Sequence, residues 1–190
     1  NNAEKLLQNT VSRLQKDGGI SMTLDVETRF DSGTDRTDIE LKMSAGCFYA
    51  KEDENTFWYD GKTVWNGKDF GDGIEEIYIS SPTPEERARY DIIGLLGKHQ
   101  GFSISGNGTD TFILTATNAG RSVEGIRSVT VQVDPATYSL KNLNIVFAEE
   151  LGNISAKVQV SGYKPGQKFD KAVFTCPVRD YKDAEIIDLR

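Results

Sequence analysis

Residues 20–30, ISMTLDVETRF, set Ile20, Met22, Leu24, Val26 and Phe30 in alternation with Ser21, Thr23, Asp25, Glu27 and Arg29. Successive strand side chains point to opposite faces, so a period of two sustained this long makes a strand with one dry and one wet face. The pattern returns in DIELKMS (Ile39, Leu41, Met43), TDTFILTAT (Phe112, Leu114, Ala116) and SVTVQVD (Val129, Val131, Val133). It returns again in YSLKNLNIVF (Leu143, Ile145, Phe147) and NISAKVQVSG (Ile154, Ala156, Val158, Val160). Turn-forming pairs lie between the runs: Asp60-Gly61, Asn66-Gly67, Asn107-Gly108 and Asp134-Pro135. Together they predict a mainly β fold, a large antiparallel sheet of ten or more strands with one apolar face. A sheet of that size curls, giving an incomplete barrel.

Two segments depart from this period. Residues 3–16, AEKLLQNTVSRLQK, put Leu7, Val11 and Leu14 on one helical stripe, ended by Gly18-Gly19. In SPTPEERARYDIIGLLG, Thr83 is an N-cap, Pro84 fits the first helical position and Glu86 completes a capping box. Ile92, Ile93, Leu95 and Leu96 then form an apolar stretch before Gly97. The two helices are expected to lie across the mouth of the curled sheet, and residues 1–190 to form one domain.

Composition removes several function classes. The 190 residues carry 29 acidic and 22 basic side chains, a net charge of -7. That opposes binding to nucleic acid or to anionic lipid surfaces. No stretch reaches the roughly 20 apolar residues of a membrane-spanning helix. The chain opens on NNAEKLLQNT, already polar and helical, so an export signal is expected to have been removed. One histidine and two cysteines cannot make a zinc site of the usual kind, and no metal or cofactor is expected. Cys47 and Cys176 are expected to face opposite sides and to remain free thiols.

No catalytic constellation stands out. His99, in GKHQG, lies in a polar Gly-flanked turn, and no serine sits in a nucleophile elbow. The pairs Glu75-Glu76, Glu85-Glu86 and Glu149-Glu150 are neighbours in sequence, not partners across a cleft. Asp69-Phe70-Gly71 lacks the loops that would make it a kinase metal site, and Asp31, Asp35 and Asp38 do not have calcium-loop spacing. No enzymatic activity is expected. The remaining oddity is FWYDGKTVWNG at 57–67, where Phe57, Trp58, Tyr59 and Trp65 crowd one hairpin. Alternation forbids all of them from facing one side, which fits a cavity wall or rim better than a filled core.

YDGKTVW resembles the DGKTLW-type hairpin of LolA-like periplasmic lipoprotein carriers. KMSAGCFYA, with Gly46 and Phe48, is similar to that family's Arg-Pro-Gly-x-Phe strand. SSPTPEERARYDIIGLLG stands where the family has its lid helix, and VFTCPV followed by EIIDL resembles its closing strand and tail. The resemblance runs over residues 3–189 and implies an incomplete β-barrel with helices closing a hydrophobic cavity. It implies a monomeric periplasmic carrier that takes acylated lipoproteins from an inner-membrane release transporter to an outer-membrane acceptor. The expected cavity wall is Leu24, Val26, Leu41, Met43, Phe48, Trp65, Phe112, Leu114, Val131 and Ile145, under a lid of Ile92, Ile93, Leu95 and Leu96. Ser44 and Ala45 replace the family's arginine and proline, so the arginine tether of the lid is missing, and Arg87 or Arg89 is a candidate substitute. The same architecture also implies an alternative, a sensor of mislocalised lipoprotein that signals through a protein partner.

Overall fold

The computed structural model describes residues 2–84, 86–87, 101–117 and 125–190. Among the described residues one long helix, α1 (Asn2–Lys16), precedes β1 (Gly19–Phe30), β2 (Gly33–Ser44), β3 (Cys47–Glu52), β4 (Asn55–Tyr59), β5 (Val64–Asp69) and β6 (Ile74–Ser80). The later strands are β7 (Phe102–Ser105), β8 (Thr111–Ala116), β9 (Ile126–Val133), β10 (Leu140–Phe147), β11 (Ser155–Gln167) and β12 (Glu185–Asp188). All twelve belong to one sheet in the order β12-β6-β5-β4-β3-β2-β1-β11-β10-β9-β8-β7, which does not close into a barrel. The hairpin pairs from β2 to β6 and from β7 to β11 are antiparallel. The last strand differs, since β12 runs parallel to β6.

The residues group into two compact units that interleave along the chain. The first draws on 1–16, 24–37 and 93–161, the second on 17–23, 38–92 and 162–190, so β1, β2 and β11 each contribute to both.

In the first unit the helical stripe finds its partner. Ala3, Leu6, Leu7 and Val11 of α1 pack with Phe112, Leu114, Val131 and Val133 of β8 and β9. Leu7, Phe112, Val131 and Val133 are wholly buried. Each such side chain contributes about 1.5–3 kcal/mol by leaving water. Thr10 is the one polar residue of α1 buried on this side, and its Oγ1 donates to the Leu6 carbonyl at 2.8 Å. The hydroxyl is thereby satisfied inside an apolar interface.

The second unit has its own core. Trp58, Ile77, Ile79 and Cys176 are buried together, with Tyr49, Trp65, Ile74, Val178, Tyr181 and Ala184 against them. Trp58 meets Tyr49 edge-on at 5.9 Å between ring centroids and Tyr181 at 6.4 Å. Cys176, Val178, Tyr181 and Ala184 come from the C-terminal segment. VFTCPV, expected as a strand, instead runs from the end of one 3-10 turn, Lys171–Phe174, into the start of another, Val178–Asp180, and EIID alone makes β12. Asp170 caps the first turn by accepting from the Ala172 N–H at 2.9 Å.

Three of the four expected turn pairs are turns. Asp60 Oδ1 accepts from the N–H groups of Lys62 and Thr63 between β4 and β5. Asn107 Oδ1 accepts from those of Thr109, Asp110 and Thr111 between β7 and β8, and Asp134 Oδ1 from Ala136 and Thr137 between β9 and β10. Asn66-Gly67 is not a turn. It lies within β5, where a Cβ on Gly67 would stand 2.9 Å from Ile74 and 3.3 Å from the Trp58 ring. The β5–β6 turn is made by Asp69, whose Oδ1 accepts from Gly71 and Gly73. The aspartate of the kinase-like tripeptide is thus a turn residue.

The β2–β3 hairpin was not expected from its sequence. Ala45 and Gly46 have φ of 48° and 78°, and Ser44 pairs with Cys47 across them. Two left-handed residues make the mirror-image turn whose twist matches the strands. A proline, fixed near φ −65°, could not occupy position 45 here. Alanine itself pays roughly 1 kcal/mol in the left-handed region, which asparagine tolerates better. Ala45→Asn is therefore expected to stabilise the protein by about 0.5–1 kcal/mol, seen as a raised denaturation midpoint with unchanged slope.

Candidate functional site

The hairpin registers sort the side chains of β2 to β6 into ranks that cross the strands on one face. The first rank is Met43, Phe48, Tyr59, Val64 and Ser80. The second is Leu41, Ala50, Phe57, Asn66 and Tyr78. The third is Glu52, Asn55, Lys68 and Glu76. Directly paired residues project to the same side, so these ranks are neighbours on a single surface. It is apolar at the first rank, mixed at the second and charged at the third.

Burial follows a different order from apolarity. Tyr59 and Val64 are 4% and 8% exposed, whereas Met43, Phe48, Leu41 and Phe57 are only half-buried. Phe48 stacks obliquely on Tyr59 at 5.5 Å, and the Tyr59 hydroxyl donates to the Gly61 carbonyl at 3.1 Å. In the third rank Lys68 stands 5.4 Å over the Tyr78 ring, whose hydroxyl donates to Glu76 at 2.9 Å. That bond to a carboxylate, with burial and the charges of Glu76 and Glu185, pushes the Tyr78 hydroxyl above its usual range.

Trp65, expected on the wall, does not share this face. It pairs with Trp58, which pairs with Tyr49, and all three join the core covered by the C-terminal segment. The crowded hairpin is thus divided: Trp58 and Trp65 are core on one side, Phe57 and Tyr59 line the other. Ser44 projects to the Trp58 side as well, since it neighbours Met43 along β2. Phe57, Tyr59, Val64 and Asn66 are members of the ranked face that the expected set omitted.

The first unit presents a second apolar face. Phe112, Val131, Leu143 and Val158 form one rank, and Leu114, Val129, Ile145 and Ala156 the next. Phe112, Leu114 and Val131 are packed solid beneath α1, while Leu143 and Ile145 are half-buried. Leu24 and Val26 of β1 are also half-buried, and Phe30, at the strand end, is 38% exposed. Ile92, Ile93, Leu95 and Leu96, with Arg89 and His99, lie outside the described residues. The start of their segment is as expected: Glu86 N–H donates to Thr83 Oγ1, and Thr83 Oγ1 to Glu86 Oε1, each at 3.2 Å.

The opposite face of the first unit is polar. A cavity of about 440 Å³ there is lined by Asp25, Glu27, Arg36, Gln132, Asn142, Lys157 and Gln159, among others. Asn142 donates to Gln132 Oε1 at 2.8 Å, and Arg36 pairs with Glu27 at 3.1 Å. Leu143 and Val158 also reach it, so amides, charges and apolar side chains meet there.

Both cysteines are free thiols. Burial pushes Cys176 up to about 12. Cys47 is raised mainly by burial, further by Asp60, and lowered again by Lys171. At pH 8 a thiol reagent is expected to label Cys47 slowly in the native protein and Cys176 only on unfolding, as mass mapping would show. A thiol held neutral in the fold contributes its full share below its ordinary value of 9.0. That share is lost as pH rises from there toward 12, a loss that Cys176→Ala removes.

Among the described residues no group of three or more His, Cys, Asp or Glu side chains is arranged to hold a metal. No described helix is long and apolar enough to cross a membrane.

An uncharacterized conserved protein from Thermus thermophilus has a similar fold, with TM-score 0.59 and 14% identity over 99% of each chain. A LolA superfamily protein from Nitrosomonas europaea aligns at TM-score 0.48 and 12% identity, over 94% of this chain and 98% of that one. A lipoprotein-sorting protein domain from Vibrio parahaemolyticus aligns at 0.40 and 12%, over 91% and 96%. No curated protein sequence matches this one. Residues 1–147 match the family described as outer membrane lipoprotein carrier protein LolA. That match spans most of the chain, α1 and the ranked strands included, and the chain belongs to this family.

Proposed function

We propose that this protein is a non-enzymatic periplasmic carrier that holds the acyl chains of lipoproteins on its apolar faces and passes them from the inner to the outer membrane. The observation that carries the reading is the graded face of β2 to β6. Met43, Phe48, Leu41 and Phe57 are large and apolar yet only half-buried, and two ranks away the same surface is charged. Such a surface matches a molecule with a greasy end and a polar end.

The energetics set the task. At about 0.8 kcal/mol per buried CH₂, a sixteen-carbon chain in water costs roughly 12 kcal/mol. A carrier must recover most of that and still release the chain, which favours a half-filled surface over a tightly packed pocket. The family match supports cargo of this kind. The inner-membrane donor and outer-membrane acceptor are proposed partners on the same ground, and the working unit is proposed to be the monomer.

Transfer between vesicles tests the reading. A triacylated lipoprotein embedded in donor vesicles should move to acceptor vesicles in proportion to added protein. Absence of any soluble complex with the lipoprotein would overturn it. Capture without onward transfer would favour a sensor that signals through a protein partner.

A further inference from the structure

The second rank of the graded face contains an anomaly. Asn66 lies between Phe57 and Tyr78 on that surface, and its Oδ1 is buried with no hydrogen-bond partner. A buried acceptor left unpaired is costly, and proteins rarely keep one without a use. The neighbours do not relieve it, because the Tyr78 hydroxyl is committed to Glu76. Valine or threonine would suit this strand position better by propensity. The orphan is also placed at the boundary between the apolar first rank and the charged third.

We propose that Asn66 Oδ1, shielded in the free protein, is uncovered when an entering acyl chain displaces the half-buried side chains around it, and then receives a hydrogen bond from the cargo at the point where that chain joins its polar part. This rests on the acyl-carrier reading and adds a requirement to it. The missing partner is a donor, so the preferred cargo carries an N–H or O–H next to the chain. An N-acyl amide has such an N–H, and a hydroxylated acyl chain has such an O–H. A plain ester offers only acceptors there. The chain then lies toward Met43 and Phe48, and the polar part toward Lys68 and Glu76. Asn66 is a specificity residue in this arrangement, since a site built to pair a donor discriminates against an analogue lacking it.

The test compares three probes on the whole protein: an N-palmitoyl dipeptide, methyl 3-hydroxypalmitate and methyl palmitate. Affinities are measured for wild type, Asn66→Leu and Asn66→Ala. Asn66→Leu should weaken the N-palmitoyl dipeptide about tenfold, the equivalent of about 1.4 kcal/mol, and leave methyl palmitate within twofold. The ligand-free variant should melt no lower than wild type, because a costly orphan has been removed. A selective loss of the hydroxy ester would support the proposal with a hydroxyl as the donor. If the variants bind all three probes as wild type does, Asn66 has no such role and the carrier reading stands. If wild type binds none of them, both fall together. Asn66→Ala supplies the same comparison should the leucine variant misfold.

Discussion

Phe112→Ala lowers stability by about 3–5 kcal/mol, the range for removing a buried aromatic ring. Phe112 has no exposed surface, pairs with the equally buried Val131, and packs against α1. Marginal stability of about 5–15 kcal/mol makes that a large share of the total. Equilibrium denaturation should show a much lower midpoint. Leu24→Ala, at a half-buried position on an apolar face, should cost about 1 kcal/mol or less. The contrast separates residues that hold the fold from residues free to meet a ligand. Equal losses would mean that Leu24 is core after all.

Met43→Asp acts the other way, abolishing acyl binding while sparing the fold. Met43 heads the apolar rank with Phe48 and Tyr59 and is only half-buried, so its substitution should cost the free protein about 1 kcal/mol or less. A carboxylate held against a hydrocarbon chain is another matter, since desolvating it costs several kcal/mol. Affinity for an acylated peptide should fall at least about a hundredfold, the equivalent of roughly 2.7 kcal/mol. Lys51→Asp is the control, because Lys51 is exposed and projects to the opposite face. An equal loss in both variants would point to net charge, not to the ranked surface.

Much of this architecture was legible. The period of two located β1, β2 and β8 to β11, and the stripe of Leu7, Val11 and Leu14 located the buried side of α1. Trp65 lies off the ranked face, with Trp58, for a reason that counting resolves. The turns at 45–46, 53–54 and 60–63 all have an even number of residues, so the inward parity switches at each hairpin. Met43, Phe48, Tyr59 and Val64 follow from that rule, and Trp65 is excluded by it. Asn66-Gly67 looked like a hairpin turn because the pair is a strong local signal, but here glycine answers to the bulk of Trp58 and Ile74. The C-terminal segment was harder to read. Phe174 and Cys176 show strand-like alternation of burial, yet a 3-10 turn capped by Asp170 breaks the extended chain. Asn66 carried no signal in sequence, since its interest lies in a missing partner.

Acyl cargo is proposed to lie on the surface shared by Leu41, Met43, Phe48 and Phe57. A lipopeptide with a photoreactive group at its chain end can mark that surface, with the crosslinked residues read by mass spectrometry. Adducts are expected on β2, β3 and β4 at those side chains, competed away by unlabelled lipopeptide. Adducts confined to Lys51, Trp65 or the polar cavity around Asn142, or none at all, would contradict it.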